Sequence, residues 1–220
     1  MEEVEKKLRI VKEHDERKNE IIETAARLFA MKGYEQCSVN DILNAIGIAK
    51  GTFYHYFKSK EEVLDAVIGQ ASGLILERVR EVVQNADLSP EEKLLQIFLS
   101  MNVEDKMEEG LLEEMHRTEN ALMHQKSLVS IVTMMAPFLT RVVQEGNEKG
   151  VFHADFPEQY MQIFLAASST LLDDGIFEVE REKMQTMFLA LISLLEKMLG
   201  VESGSLSNKA EGYWQFKQEQ

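Results

Sequence analysis

Apolar residues recur along this chain mainly at three- and four-residue intervals, the spacing that places them on one face of an α-helix. No stretch shows the alternation of a β-strand, and only three prolines interrupt the pattern, at positions 90, 137 and 157. The chain is therefore predicted to be all-α, with about nine helices. After a charged extension over 1–16 and a first helix that Gly33 ends, the predicted helices cover roughly 38–47, 50–57, 61–84, 90–106, 109–123, 126–148, 157–176 and 180–199.

Several predicted helices begin at a recognisable capping signature. A serine followed three residues later by an acidic residue lets the two side chains satisfy free backbone amides at a helix start. This signature occurs at Ser38/Asp41, Ser59/Glu62 and Ser89/Glu92. Pro90 strengthens the third start because proline is favoured at the first helical position. Ala49 stands before the helix over 50–57 and offers no capping side chain, a loss of about 1 kcal/mol.

Residues 38–62, SVNDILNAIGIAKGTFYHYFKSKEE, carry the most specific pattern in the chain. Two short helices meet at Gly47, where a tight corner favours a residue that tolerates positive φ, so the segment is predicted to be a helix-turn-helix. Apolar residues on one side are spaced to pack the two helices together. Small, hydroxyl-bearing and basic side chains on the other side suit approach to a DNA major groove, namely Lys50, Gly51, Thr52, Tyr54, His55, Tyr56, Lys58 and Lys60.

Net charge at first argues against a nucleic-acid partner, because the chain carries −14 at pH 7. The charge is unevenly distributed, however. Residues 1–60 hold 11 Lys and Arg against 10 Asp and Glu, whereas residues 61–220 hold 13 against 28. Between Arg17 and Lys60 the balance is seven basic to four acidic residues. The segment predicted to touch DNA is locally positive, and its attraction to phosphates should weaken with salt.

The remaining composition favours a cytoplasmic protein. The N-terminal residues are charged throughout and lack the apolar core of a secretory signal, and the longest purely apolar runs are too short to span a membrane. Cys37 is the only cysteine, which excludes an intrachain disulfide and fits a reducing compartment.

Residues 17–65 resemble the DNA-binding domain of the TetR family, the tetracycline-repressor-like transcriptional regulators. The resemblance rests on the spacing of AARLFAMKGYEQCSVNDI and GIAKGTFYHYFKSKEEVL, in which Gly47, the Lys50-Gly51-Thr52 run, Tyr54, Tyr56-Phe57 and Lys60-Glu61 fall where the family has them. It implies that Lys50, Gly51 and Tyr54 lie at the groove. It also implies that Thr52, Tyr56 and Lys60 contact phosphates, with Ser38 and Asn40 at the start of the preceding helix. His55 is a further candidate for the DNA face.

The domain organisation expected from these observations has three parts. Residues 1–60 form the DNA-binding domain, including the extension over 1–16, which is either a solvated helix or an arm for the minor groove. Residues 61–200 form a helical domain for effector binding and dimerisation. Residues 201–220 form a tail whose aromatic residues either dock on a neighbour or remain in solvent.

The helices over 157–176 and 180–199 are expected to form the dimer interface, which is where the family places it. The first is apolar nearly all round, and the second carries apolar residues at alternating four- and three-residue steps, as in helices packed side by side. Core packing within one chain is the alternative explanation of the same pattern. The candidate interface residues are Phe164, Leu171, Met184, Phe188, Leu191, Leu195 and Met198.

A small effector is expected to bind between the helices over about 90–176. Twelve methionines are many for this length, and flexible thioethers adapt to varied apolar ligands, although methionine stripes also fill ordinary cores. Because helix 61–84 begins beside the DNA-contact segment and ends in the body, it is expected to couple the two sites. The candidate ligand-binding residues are Phe98, Met101, His116, Arg117, Asn120, Met134, Phe138, Phe164 and Asp173.

Enzymatic activity has little support in this sequence, and no catalytic residue, cofactor or metal site is predicted. Glu113 and His116 form one E-x-x-H, but a carboxylate-bridged metal site needs a second such motif and further glutamates. A helical protein-binding adaptor without DNA activity is the other alternative. The favoured prediction is a homodimeric regulator, with repression expected from family habit, that binds a palindromic operator in duplex DNA and is released by a mainly apolar effector.

Overall fold

The computed structural model describes residues 2–101, 121–173, 176–177 and 180–210 of the chain. These residues are helical or irregular, with no strand among them, and the predicted all-α fold is confirmed. The predicted helix over 109–123 lies for the most part outside the described residues. In chain order the helices are α1 (Glu2–Lys32), α2 (Val39–Ile46), α3 (Lys50–Tyr56), α4 (Lys60–Gln84), α5 (Pro90–Met101), α6 (Ala121–Glu148), α7 (Pro157–Leu171) and α8 (Arg181–Leu199).

Local chemistry sets several helix ends as predicted. The Ser38 hydroxyl accepts from the Asp41 amide at 3.2 Å, and the Asp41 carboxylate accepts from the Ser38 amide at 2.7 Å, so both halves of a capping box are present. Ser89 and Glu92 make the same pair of bonds, at 3.3 and 2.8 Å. Gly33 follows α1 with φ of 82°, a left-handed conformation that costs glycine little.

Three boundaries differ from those predicted. The extension and the first helix are continuous in α1, because no glycine or proline occurs between residues 2 and 32. Helix α6 likewise runs through the break expected at residues 124–125, and it continues past Pro137. Helix α7 ends at Leu171 rather than near residue 176. Asp173 follows that end, where a negative charge interacts unfavourably with the negative end of the helix dipole.

The chain divides into two compact units. The described part of the first comprises residues 2–71 and 121–127. Its core joins α1, α2 and α3 to the first turns of α4, whose Val63 and Leu64 are fully buried. The first unit therefore extends about ten residues beyond the predicted limit at residue 60. Within this unit Lys126 of α6 pairs with Glu61 and Asp65 of α4, at 2.9 and 2.7 Å.

The described part of the second unit comprises residues 72–101, 128–173, 176–177 and 180–210. Its core contains the rings of Phe98, Phe164 and Phe188, with Phe98 5.0 Å from Phe164 and 5.4 Å from Phe188 between centroids. One ion pair is also nearly buried, since Lys93 of α5 is 4% exposed and lies 2.9 Å from Glu145 of α6. An 18-residue window within His124–Glu148 of α6 has a mean hydropathy of 1.4, which length and composition alone would allow in a membrane. In the second unit, α6 places Met135, Leu139, Val142 and Val143 in the core.

The start of the C-terminal tail docks on its own unit. Leu206 and Ala210 are fully buried, although Glu202, Ser203, Asn208 and Lys209 are exposed. The aromatic residues at 213–216, whose docking was left open, lie outside the described residues. The Glu196 carboxylate, 1% exposed, accepts from the amides of Gly204, Leu206 and Ser207 at 2.8–3.0 Å and from the Ser207 hydroxyl at 2.9 Å. Burial alone would raise the pKa of Glu196, but these four donors hold it below its usual range.

Candidate functional site

The corner between α2 and α3 has the geometry of a helix-turn-helix. Gly47 adopts φ 79° and ψ 33°, and its amide donates to the Leu43 carbonyl at 2.8 Å. The Ile48 amide donates to the same carbonyl at 3.1 Å. Ile42 of α2 and Phe53 of α3 are both fully buried. The turn and the shared core therefore fix how α3 is presented.

Helix α3 exposes the side predicted to face DNA and buries the other. Phe53 and Phe57 lie in the core of the first unit, at 0% and 2% exposure, whereas Tyr54 is 47% exposed. Among the remaining DNA candidates on this segment, Lys50, Gly51 and His55 are exposed, and Thr52, Tyr56 and Lys60 are half-buried. Ala49 provides no side-chain cap for α3, as predicted.

Lys60 makes contacts that its predicted phosphate role does not require. Its ammonium donates to the Tyr34 carbonyl at 2.7 Å and lies 4.1 Å from the centre of the Tyr34 ring. This ties the first residue of α4 to the turn after α1. Because the ammonium has three donors, a phosphate contact remains compatible with this geometry, but Lys60 also has a structural role that the sequence did not reveal.

The two candidates beside α2 differ in their surroundings. The Ser38 hydroxyl is engaged in the capping box, whereas Asn40 is exposed. Asp41 also lies 2.8 Å from the Lys32 ammonium, an ion pair that joins the end of α1 to α2. Hydrogen bonds from Lys32 and Ser38 hold the pKa of Asp41 well below its usual range. The start of α2 is therefore held by several contacts at neutral pH.

The N-terminal extension contacts α3 through His14, a contact that was not predicted from the sequence. The His14 ring of α1 lies 4.7 Å from the Tyr56 ring and 5.7 Å from the His55 ring. His14 belongs to the continuous helix α1. A histidine at the edge of a charged helix gave no periodic signal from which this contact could have been predicted.

Burial corrects the expected dimer interface. Four of the seven candidates, Phe164, Phe188, Leu191 and Leu195, are only 1–3% exposed within their own chain. A side chain without exposed surface has none left for a partner, so core packing explains the helical spacing at these positions. The other three candidates, Leu171, Met184 and Met198, are half-buried.

Four of the expected ligand-binding residues lie in or against the core of the second unit, namely Phe98, Phe164, Met134 and Phe138. Phe98 and Phe164 lie in the core and in contact, while Met134, Phe138 and Asp173 are half-buried. His116, Arg117 and Asn120 lie outside the described residues, as do Glu113 and the side chain of Met101. In the part of the chain that is described, no three His, Cys, Asp or Glu side chains are grouped to hold a metal ion.

A cavity lies in the second unit between α4 and α6. It encloses about 360 Å³ of empty space, part of it open to solvent. Among the predicted ligand residues whose side chains the structure describes, Met134 alone lines it, because the wall formed by α4 was not anticipated. The lining residues are Ser72, Ile75, Leu76, Ser130, Ile131, Met134 and Met135.

Two family models match this chain. The model of bacterial regulatory proteins of the tetR family matches residues 21–67, and the model of the tetracyclin repressor-like C-terminal domain matches residues 103–193. The first match contains α2 and α3 entire. The second contains α6 and α7 entire and the larger part of α8.

Individual relatives agree with the family models. The transcriptional repressor KstR2 of Mycolicibacterium smegmatis is 34% identical over 84 residues, covering 38% of this chain and 40% of its own length. The uncharacterised regulator YerO of Bacillus subtilis is 28% identical over 181 residues, covering 80% of this chain and 63% of its own. These matches thus span less than two thirds of either relative.

Solved structures share the fold at low sequence identity. RolR in complex with resorcinol superposes with a TM-score of 0.63 at 19% identity, over 91% of this chain and 95% of its own. A TetR-family regulator from Pectobacterium atrosepticum gives 0.62 at 21% identity, over 87% and 97%. Identities at this level show a common fold and leave binding specificity to the residues of each chain.

Proposed function

Because this chain belongs to the TetR family of transcriptional regulators, we propose that it binds an inverted-repeat operator as a homodimer and that a small, mainly apolar effector releases it. Like its relatives, the chain is a transcriptional regulator and not an enzyme. The relative KstR2 is named as a repressor, which favours repression for this chain as well. We propose a cytoplasmic site of action, where the operator would be found.

The observation that carries the DNA-binding proposal is the exposed face of α3. Lys50, Gly51 and Tyr54 are exposed next to a fully buried Phe53, so polar groups project from a helix whose backbone is held by the core. A two-fold dimer would present two such helices to two half-sites, and the operator would then be an inverted repeat.

A revised surface supports the dimer. Two large apolar side chains are exposed on α7 and α8, Ile163 at 53% and Leu194 at 41%. Ala166 lies one turn from the first and Ala190 one turn from the second, and both are exposed. We call these four residues the outer face. It lies on the helices expected to form the interface, to one side of the candidate interface residues. Burying it against a second copy would remove apolar surface from water.

The cavity between α4 and α6 supports an effector. Its lining is mainly apolar, as in most pockets for small molecules. One wall belongs to α4, the helix whose first turns are in the core of the DNA-binding unit. A ligand there would contact the helix expected to couple the two sites, and a coupling free energy of about 1–3 kcal/mol changes affinity five- to 150-fold.

Selection from random duplexes tests the proposal. Pools bound by the protein should become enriched in inverted repeats, and Lys50→Ala should weaken binding to all of them. Because each dimer would lose two ammonium groups from beside the groove, fewer counterions would be released on binding. The slope of log affinity against log salt concentration should therefore become shallower by about two. Lys149→Ala, which removes one charge from an exposed lysine in the second unit, is the matched control. Enrichment of no inverted repeat would contradict the proposal.

A further inference from the structure

The described lining of the cavity contains two polar groups, and they face each other. The Ser72 hydroxyl of α4 and the Ser130 hydroxyl of α6 are 3.4 Å apart. The other five lining residues are apolar: Ile75, Leu76, Ile131, Met134 and Met135. Among these seven residues there is no ionisable side chain, so a charged ligand would lose water without gaining an opposite charge from them.

Both hydroxyls have capacity for stronger hydrogen bonds. Their separation of 3.4 Å is well beyond the usual O–H···O distance of about 2.7–2.8 Å. Ser130 also donates to the Met134 sulfur at 3.1 Å, and a thioether is a weak acceptor. A ligand oxygen placed between the serines would replace a long contact and a weak one with two ordinary hydrogen bonds.

From this arrangement we propose that the effector is an uncharged, compact and mainly apolar molecule, and that its single hydroxyl is held between Ser72 and Ser130. The methionine side chains can adjust to the shape of the apolar part, and their sulfur atoms make favourable contacts with aromatic rings. This inference rests on the proposed function only in identifying the bound molecule as the effector. The chemical class follows from the lining residues themselves.

Four matched sets of small ring compounds test the inference. Each of ten aromatic frames is used as the hydrocarbon, the phenol, the benzoate and the benzylammonium ion. Thermal shift with the full-length protein should detect binding mainly in the phenol set. Hits mainly among the benzoates or the benzylammonium ions would overturn the inference, as would a hydrocarbon set that binds as well as the phenols. An absence of stabilisation by any set would also overturn it.

Variants of the two serines provide the second readout. Ser72→Ala and Ser130→Ala should each weaken phenol binding about two- to tenfold, the range for one hydrogen bond, while affinity for the matching hydrocarbon stays within twofold. Thr133→Ala is the control, because Thr133 is exposed one turn from Ser130 and donates to the Val129 carbonyl of its own helix. Unchanged phenol affinity in both serine variants would contradict the assignment.

Operator titration separates this inference from the proposed function. Phenols that require the serines but leave operator affinity unchanged at saturation would uphold the ligand class and refute effector release. Charged ligands that lower operator affinity without requiring the serines would uphold effector release and refute the ligand class.

Discussion

Gly51→Ala should raise stability while weakening DNA binding, a combination that a purely structural role for α3 would not produce. Gly51 is exposed in the first turn of α3, and a Cβ added there meets nothing within 4 Å. Alanine is favoured over glycine in helices by about 0.5–1 kcal/mol, so the variant should unfold about 1–4 °C higher than the wild type. Thermal melts followed by circular dichroism measure this gain.

The same methyl group should obstruct the operator. If the backbone at the start of α3 approaches the groove closely, the added Cβ occupies space needed by a base or phosphate. Loss of one such contact costs about 1–3 kcal/mol, which corresponds to roughly a five- to 150-fold weaker affinity. Fluorescence anisotropy with a selected duplex measures the change.

Gly73→Ala is the matched control for this pair of effects. Gly73 lies within α4, and a Cβ there also meets nothing within 4 Å, so stability should rise by a similar amount with operator affinity retained. If Gly51→Ala bound the operator as tightly as Gly73→Ala does, the close approach of α3 to DNA would be refuted. A loss of stability in Gly51→Ala would show that the glycine is needed for folding instead.

Three further predictions concern the fold and the assembly. Gly47→Ala should lower the free energy of unfolding, measured by chemical denaturation, by about 1–2 kcal/mol. The cause is backbone strain at φ 79°, since an added Cβ meets nothing within 4 Å, and an unchanged free energy would contradict this. Leu194→Glu should elute from a sizing column as a folded monomer, whereas the control Val129→Glu, which also changes an exposed apolar residue, should elute as a dimer. The same elution for both variants would show that Leu194 is not in the dimer interface. Glu196→Gln should lower the free energy of unfolding at pH 7 by about 2–3 kcal/mol. Since the folded pKa of Glu196 is lowered, its contribution is present above the unfolded pKa of about 4.3 and disappears as pH falls through the folded value, so the variant's deficit should shrink in acid denaturation curves.

Features set by neighbouring residues could be predicted from the sequence. The capping boxes at Ser38 and Ser89 and the helix ends at Gly33 and Gly47 depend on groups within four residues of one another. The exposed face of α3 followed as well, because the buried Phe53 and Phe57 fix which side of a short helix remains outside. These local rules were sufficient to predict the helix-turn-helix.

Features that depend on distant partners could not be predicted in this way. Lys60 contacts a carbonyl 26 residues earlier in the chain, and the donors to Glu196 lie eight to 11 residues later. Neither distance matches a helical or strand period. The seam through Phe188 and Leu195 shows a related limit, since a spacing of three and four residues predicts a packed helix face without saying which chain packs on it.

The central claim is that two copies of this chain bind the two halves of one operator, and duplex titration tests it most directly. A duplex with the selected inverted repeat is compared with a duplex of equal length that keeps one half-site, each at several salt concentrations. The account predicts at least a tenfold preference for the inverted repeat, two protomers per duplex and an affinity that falls steeply with salt. Equal affinity for the two duplexes with one protomer bound to each, or binding insensitive to salt, would contradict it.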